Sequence, residues 1–100
     1  MQPRNLYDKA IAAGLPMAGM ALMGDMLVRS PHTQADYQIS LADVCVAVIE
    51  GLAREHGCGL FVARLPSGEP TWRVSGKVGP YYPTLPLALA AACDAIAGGK

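Results

Sequence analysis

The segment 40–57 constrains the fold of this 100-residue chain more than any other part of the sequence. Apolar side chains recur there every three or four residues, which is typical of one face of an α-helix. They are Leu41, Val44, Cys45, Val48 and Leu52. Ser40 is a favourable N-cap, Asp43 stands in the first turn, and Gly57 is the residue expected just past the helix end. A helix of this kind needs a second layer to cover its apolar stripe.

Residues 59–78 supply that layer as a predicted β-hairpin. Apolar and polar side chains alternate in 59–65 and again in 71–78, and the turn-forming residues 66–70 lie between them. The second strand should place Trp72, Val74 and Val78 on one face and Thr71, Arg73, Ser75 and Lys77 on the other. We therefore expect one buried and one solvent-facing side. Residues 79–83 are compatible with a short third strand, because Pro is tolerated at a sheet edge.

A second strong helix is predicted after the hairpin. Thr84 is its N-cap, and Pro86 falls in the first turn, where its missing N–H does no harm. The predicted apolar stripe comprises Leu85, Leu89, Ala92, Cys93 and Ile96. The glycine pair at 98–99 ends the helix.

The N-terminal third is predicted to contain two short helices. Asn5 would cap the first, which ends at residues 14–16, and apolar residues at helical spacing suggest a second helix over 17–28. Gly19 and Gly24 weaken the second helix, and a strand over 26–29 is the alternative. Residues 30–38 are expected to form a polar loop.

These elements predict an α+β fold in a single domain over residues 1–100. A small antiparallel sheet of two or three strands would pack against two main helices, with a helical N-terminal segment beside them. Hydrophobic residues make up 52% of the chain and charged residues 16%, so the chain can form a core.

The charge balance indicates which partners to expect. Eight basic residues balance eight acidic ones, and no surplus of Lys and Arg indicates direct nucleic-acid binding. The apolar, neutral composition is compatible with a homodimer. The uncharged run of residues 10–24 is too short to span a membrane. Three cysteines without a close-spaced pair (Cys45, Cys58 and Cys93) indicate a reducing, cytoplasmic compartment.

The sequence carries no recognisable set of catalytic, cofactor-binding or metal-binding residues. His56 with Cys58, and His32 with Asp36, are two pairs that have no evident third metal ligand. The sequence has no nucleophile-elbow pattern. It also has no phosphate-loop pattern, because the glycines at 57 and 59 precede a strand rather than open a helix. We therefore expect a binding protein rather than an enzyme, and no cofactor.

Three stretches together resemble small phage proteins of the ABA sandwich type. They are YQIS at 37–40 with the helix LADVCVAVIE that follows, the strand TWRV at 71–74, and the helix start TLPLAL at 84–89. The resemblance covers residues 37–97 and implies a capped helix, a sheet and a second helix. The methionine-rich N-terminal segment departs from that pattern.

The size, neutrality and missing catalytic set also make the chain similar to anti-CRISPR proteins that inhibit type I-F surveillance complexes. This resemblance implies a phage-encoded protein in the cytoplasm of a bacterial host. The protein would bind a subunit of a crRNA-guided complex and block target DNA binding or unwinding. Two alternatives stay open. One is a ligand- or nucleotide-binding phage protein, a sponge, with a pocket between sheet and helices lined by Trp72 and the tyrosines. The other is a small thiol enzyme using Cys58 and His56.

Two sets of residues are candidate partner contacts. The basic and aromatic set lies on and beside the solvent face of the hairpin and comprises Arg73, Lys77, Tyr81 and Tyr82, with Arg64 expected nearby. The acidic set comprises Asp25, Asp36 and Glu69. Acidic groups are rival contacts because guide complexes expose many Lys and Arg side chains to hold nucleic acid.

Overall fold

The computed structural model describes residues 1–17, 19–23, 26–29, 39–75 and 80–99. These residues form three helices and two antiparallel sheets of two strands each, which confirms the predicted α+β class. In chain order the elements are α1 (Pro3–Ala12), β1 (Met20–Met23), β2 (Met26–Arg29), α2 (Leu41–His56), β3 (Leu60–Arg64), β4 (Pro70–Val74) and α3 (Leu85–Gly98).

Helix α2 begins and ends where the sequence predicts. The Asp43 N–H donates to Ser40 Oγ at 3.2 Å, and the Ser40 N–H donates to Asp43 Oδ2 at 3.3 Å, so both halves of a capping box are present. Gly57 ends the helix with φ 64°, a left-handed conformation that glycine adopts without steric penalty. The face that packs inward carries Val44, Cys45, Val48, Gly51 and Leu52.

Helix α3 is also confirmed, and its small residues bring α1 close. Thr84 Oγ1 accepts from the Leu87 N–H at 3.4 Å at the start of the helix. The buried residues of α3 are Ala88, Leu89, Ala90, Ala92 and Cys93. Helix α1 packs on this helix and on α2, and Lys9 Nζ forms an ion pair with Asp94 at 2.9 Å. The alanines of α3 thus allow a close contact between helices that are far apart in sequence.

Helix α1 starts earlier than predicted. Gln2, not Asn5, is the N-cap, and Pro3 occupies the first turn. Proline suits this place because its fixed φ is already helical and its missing N–H would have no partner there. The predicted end is confirmed, since Gly14 lies just beyond the helix with φ 80°.

The predicted second helix over 17–28 is wrong, and its strand alternative is correct. Strands β1 and β2 pair antiparallel, with Met20 opposite Arg29 and Leu22 opposite Leu27. Nearly every position in these strands is apolar, so a helical period can be read from a segment that is in fact extended. Gly19, with φ 82°, stands immediately before β1 in a conformation that a helix interior does not use.

The β3–β4 hairpin has a register set by its turn. The Gly68 N–H donates to the Leu65 carbonyl at 2.8 Å, and the Leu65 N–H donates to the Glu69 carbonyl at 2.9 Å. Gly68 has φ 94°, as expected where a left-handed residue ends a three-residue hairpin loop. The pairs that follow are Leu60–Val74, Phe61–Arg73, Val62–Trp72, Ala63–Thr71 and Arg64–Pro70.

Strand β4 ends at Val74, earlier than predicted, and residues 76–79 lie outside the described part of the chain. The predicted third strand is reduced to one bridge between Trp72 and Tyr82, whose two backbone hydrogen bonds are 2.9 and 2.7 Å long. The predicted division of the hairpin into a buried face and a solvent-exposed face is wrong at Thr71. That residue is buried, and its hydroxyl donates to the Ala63 carbonyl at 2.8 Å.

The core explains why one side of the hairpin stays open. Buried residues from all three helices, from β2 and from β4 form one cluster, and the hairpin contributes Val74 to it. Helix α3 packs on β4, whereas β3 has extensive contacts with β4 alone among the described elements. Phe61, Val62 and Leu65 are therefore 48%, 59% and 47% exposed.

Candidate binding face

Phe61, Arg73 and Tyr81 form a row across the β3–β4 hairpin and the segment beside it. Phe61 pairs with Arg73 in the hairpin, and Tyr82 bridges to Trp72, which places Tyr81 next to Arg73 on the other side. Directly opposite residues of antiparallel strands point to the same face of a sheet. The three side chains, called here the aromatic–arginine row, therefore stand on one face with Arg73 in the middle.

The two rings hold the guanidinium of Arg73 between them. Arg73 Cζ lies 5.9 Å from the centroid of the Phe61 ring and 5.5 Å from that of Tyr81. Both distances fall within the range of cation–π attraction, about 0.5–1 kcal/mol each at a partly exposed site. The rings themselves are 48% and 42% exposed. The row thus offers a fixed cation flanked by accessible aromatic surface.

The Nε atom of Arg73 is buried and has no hydrogen-bond partner among the described residues. A buried donor without a partner costs about 1–3 kcal/mol. A stacked guanidinium can still donate in its own plane, where it matches the fork of a carboxylate or phosphate. The row is therefore chemically suited to an anionic, planar group with apolar surroundings.

The remaining predicted contacts do not join this row. Tyr82 is half-buried and sits beside Trp72, on the opposite face from Arg73. Glu69 is exposed at the hairpin turn. Arg64 was expected near Arg73, but it pairs with Pro70 on the other face, and its Nη1 donates to the Gly68 carbonyl at 2.8 Å.

Three candidate contacts, Lys77, Asp25 and Asp36, lie outside the described residues. One member of the row, Phe61, was missed by sequence reasoning. The signal that could have found it was the turn, because a loop over 66–68 pairs Leu65 with Glu69 and hence Phe61 with Arg73.

The three cysteine thiols are free and buried. Burial raises the pKa of Cys45, and it raises that of Cys93 to about 11, with a further rise from Asp94 and a smaller opposing effect of Lys9. Thiols with a raised pKa stay protonated and are poor nucleophiles. The Cys58 thiol donates to the backbone carbonyl of His56 at 3.7 Å. No hydrogen bond between this thiol and the imidazole is present among the described residues.

Within the described ranges, no three His, Cys, Asp or Glu side chains gather where they could hold a metal ion. His32 and Asp36 lie outside those ranges. None of the helices in the described part of the chain has the length and apolar character needed to cross a membrane.

A second concave feature lies on the helices. A groove of about 400 Å³ lies between the N-terminal parts of α2 and α3 and is lined by Leu41, Ala42, Cys45, Val46, Ile49, Leu85 and Pro86. A cavity between the β3–β4 hairpin and the helices, lined by described residues, measures about 10 Å³ and touches neither Trp72 nor a tyrosine. It is about large enough for one water molecule. This cavity is therefore not the pocket lined by Trp72 and the tyrosines that the sequence suggests.

Comparison of the chain with known proteins gives no match from which a role for the aromatic–arginine row could be inferred. No family model, no curated protein and no solved structure matches the chain. A functional assignment therefore rests on the geometry of this row and on the sequence resemblances given above.

Proposed function

We propose that this chain is a binding protein that docks onto another protein through the aromatic–arginine row. In its finer form, the proposal is that the chain is a phage-encoded anti-CRISPR inhibitor in the bacterial cytoplasm. It would bind a type I-F surveillance complex and block target DNA binding or unwinding. The aromatic–arginine row supports docking onto another protein, and the resemblance of the sequence supports the anti-CRISPR assignment.

The observation that carries the proposal is the Arg73 guanidinium held between two half-exposed rings. Arg and aromatic residues are enriched among the residues that dominate binding energy at protein interfaces. The flanking rings restrict the guanidinium before any partner arrives. A group that is already ordered loses less conformational entropy on binding, so more of the contact energy appears as affinity.

The chemistry of the row indicates the kind of contact to expect. A carboxylate of an Asp or Glu on the partner would accept from the guanidinium, and apolar side chains beside it would cover Phe61 and Tyr81. Glu69 at the exposed turn supplies the opposite charge, suited to the Lys and Arg side chains with which guide complexes hold nucleic acid. The turn belongs to the same hairpin as Phe61 and Arg73, so Glu69 and the row can contact a single surface together.

The test compares two charge reversals on the same hairpin, Arg73→Glu and Arg64→Glu. Binding to purified type I-F complex is measured by biolayer interferometry, and phage plating is measured on CRISPR-active cells. We expect Arg73→Glu to weaken binding at least tenfold, equal to about 1.4 kcal/mol, and to abolish protection of the phage. Arg64→Glu, on the opposite face, should change the affinity less than threefold.

Two results would contradict different parts of the proposal. A wild-type protein that neither binds the complex nor alters phage plating excludes the anti-CRISPR assignment. A folded Arg73→Glu variant that binds as well as wild type excludes the row as the docking face, whichever partner is found.

The groove on α2 and α3 favours a second candidate, a carrier of a small apolar ligand. Its volume falls in the range of about 300–1,000 Å³ typical of ligand sites, and its lining is almost entirely apolar. Native mass spectrometry of gently purified protein should then show an added mass that Val46→Lys removes. A spectrum of the bare chain alone excludes a tightly bound ligand.

A further inference from the structure

Strand β3 has the properties of an unprotected sheet edge. β4 covers one side of it, and no other described element packs on it extensively. Natural proteins usually protect such edges with charged residues, proline or a covering loop. β3 has the sequence LFVAR, with one charge and no proline, and Phe61 and Val62 are 48% and 59% exposed.

The hydrogen bonds of the hairpin show which backbone groups point away from β4. Leu65 bonds with Glu69, and the Ser75 N–H donates to the Gly59 carbonyl at 2.9 Å. Hydrogen-bonded pairs recur at every second residue of an antiparallel ladder, so Phe61 and Ala63 also bond toward β4. The backbone N–H and C=O groups of Leu60, Val62 and Arg64 therefore point outward. Among the described residues, no backbone bond outside the ladder reaches them.

We propose that β3 pairs antiparallel with β3 of a second copy of this chain, with Val62 opposite Val62 of the second copy. In this register Leu60 lies opposite Arg64 of the second copy, and the reverse. All the outward-pointing backbone groups of both strands are then hydrogen-bonded. Any other register leaves at least one outward-pointing residue of each strand without a partner.

The side chains of β3 are complementary to themselves in this register. Phe61 falls opposite Ala63 of the second copy, so a large side chain meets a small one. Val62 already pairs with Trp72, so both copies together form a continuous apolar row on that face. The two Arg64 side chains are four residues apart along the strand, about 13 Å, which keeps the like charges separated. The chain has no net charge to oppose the association.

The dimer has a consequence for the binding face, although it does not depend on the proposed function. The two-fold axis of such a pairing runs perpendicular to the sheet, so equivalent faces stay on the same side. Both aromatic–arginine rows then stand on one continuous sheet, about 15 Å apart by strand spacing. A partner with two matching contacts would bind both rows at once, and its overall affinity would exceed that for a single row.

Sedimentation equilibrium from 10 µM to 1 mM tests the dimer with a matched pair of variants, and the dissociation constant is the quantity measured. Val62→Lys places two ammonium groups at the two-fold axis. Val46→Lys makes the same change at a residue of α2 that is 57% exposed, close to the 59% of Val62. We expect wild type and Val46→Lys to dimerise, and Val62→Lys to raise the dissociation constant at least tenfold.

A second variant, Val62→Pro, removes the outward N–H without touching the bonds to β4 and should also yield monomer. A wild type that stays monomeric at 1 mM overturns the proposal. So does a folded Val62→Lys variant that dimerises like wild type. Loss of the dimer in Val46→Lys but not in Val62→Lys would instead place the interface in the α2–α3 groove.

Discussion

At the scale of single residues, Arg73 shows how a side chain is fixed by neighbours that are distant in sequence. Phe61 is twelve positions before it and Tyr81 eight positions after it, and both rings contact its guanidinium. A lysine would keep the charge, but it lacks the planar group that stacks on rings and donates in two directions. Charge alone is therefore not the property of Arg73 that binding is expected to use.

The variant Arg73→Lys separates charge from shape. We expect it to lose at least fivefold in affinity for the partner, about 1 kcal/mol, while the thermal midpoint changes little. Binding measured beside circular dichroism checks this expectation. If Arg73→Lys kept full affinity, the partner would require only the positive charge at this position. Arg64→Lys serves as the matched control.

Cys93 gives a pH dependence whose sign can be worked out. Its pKa is raised from an ordinary value near 9 to about 11 in the folded state, chiefly by burial. The folded protein therefore keeps a proton that the unfolded chain releases above pH 9. The stabilising effect is complete below pH 9. It falls by up to about 1.4 kcal/mol for each pH unit until the folded pKa is reached.

Urea titrations at pH 7 to 11 should show this decline, and Cys93→Ala should show a shallower one from a lower starting stability. A wild-type free energy of unfolding that stays level between pH 9 and 11 would contradict the buried, protonated thiol.

At the scale of elements, local signals predicted what local interactions determine. The capping box, the stripe and the terminal glycine of α2 all lie within one helix, and all three were read correctly. The helix predicted over 17–28 is wrong because the nearly uniform apolar character of β1 and β2 fits a helical period as well as a strand. The two segments instead pair antiparallel, with Met20 opposite Arg29. Predicting the aromatic–arginine row requires the register of the β3–β4 pairing. The turn at Gly68 fixes that register, and the amino-acid composition does not reveal it.

The capping box is open to a direct test. Ser40→Ala removes the acceptor for the Asp43 N–H and should destabilise the protein by about 1 kcal/mol. A loss of that size lowers the thermal midpoint by about 4–8 °C in a chain of this length. Ser67→Ala, in the exposed hairpin turn, is the matched control and should leave the midpoint within about 1 °C. Equal midpoints for both variants would mean that α2 does not need its cap.

At the scale of the whole molecule, one buried cluster joins all three helices with β2 and β4. The sequence predicted a single domain, and this prediction can be checked through cooperativity. Trp72, the only tryptophan, reports on β4, whereas far-ultraviolet circular dichroism reports mainly on the helices. The two signals should give one coincident urea transition.

Leu6→Ala in α1 should lower the free energy of unfolding by about 2–5 kcal/mol, because Leu6 is fully buried in the shared cluster. Both signals should report the same loss. Separate midpoints for tryptophan fluorescence and circular dichroism would mean that the hairpin and the helices unfold independently.

The ion pair between Lys9 and Asp94 joins positions 85 residues apart, and this separation matters while the chain is being synthesised. Helix α1 is synthesised before both helices that cover it, and one of them, α3, follows only after α2 and the β3–β4 hairpin. At about 5–20 residues per second, on the order of ten seconds pass between the two. During that interval Leu6 and Ala10 lack part of their final cover. The protein can therefore complete its folding only once α3 has left the ribosome, and contacts of such long sequence separation form slowly.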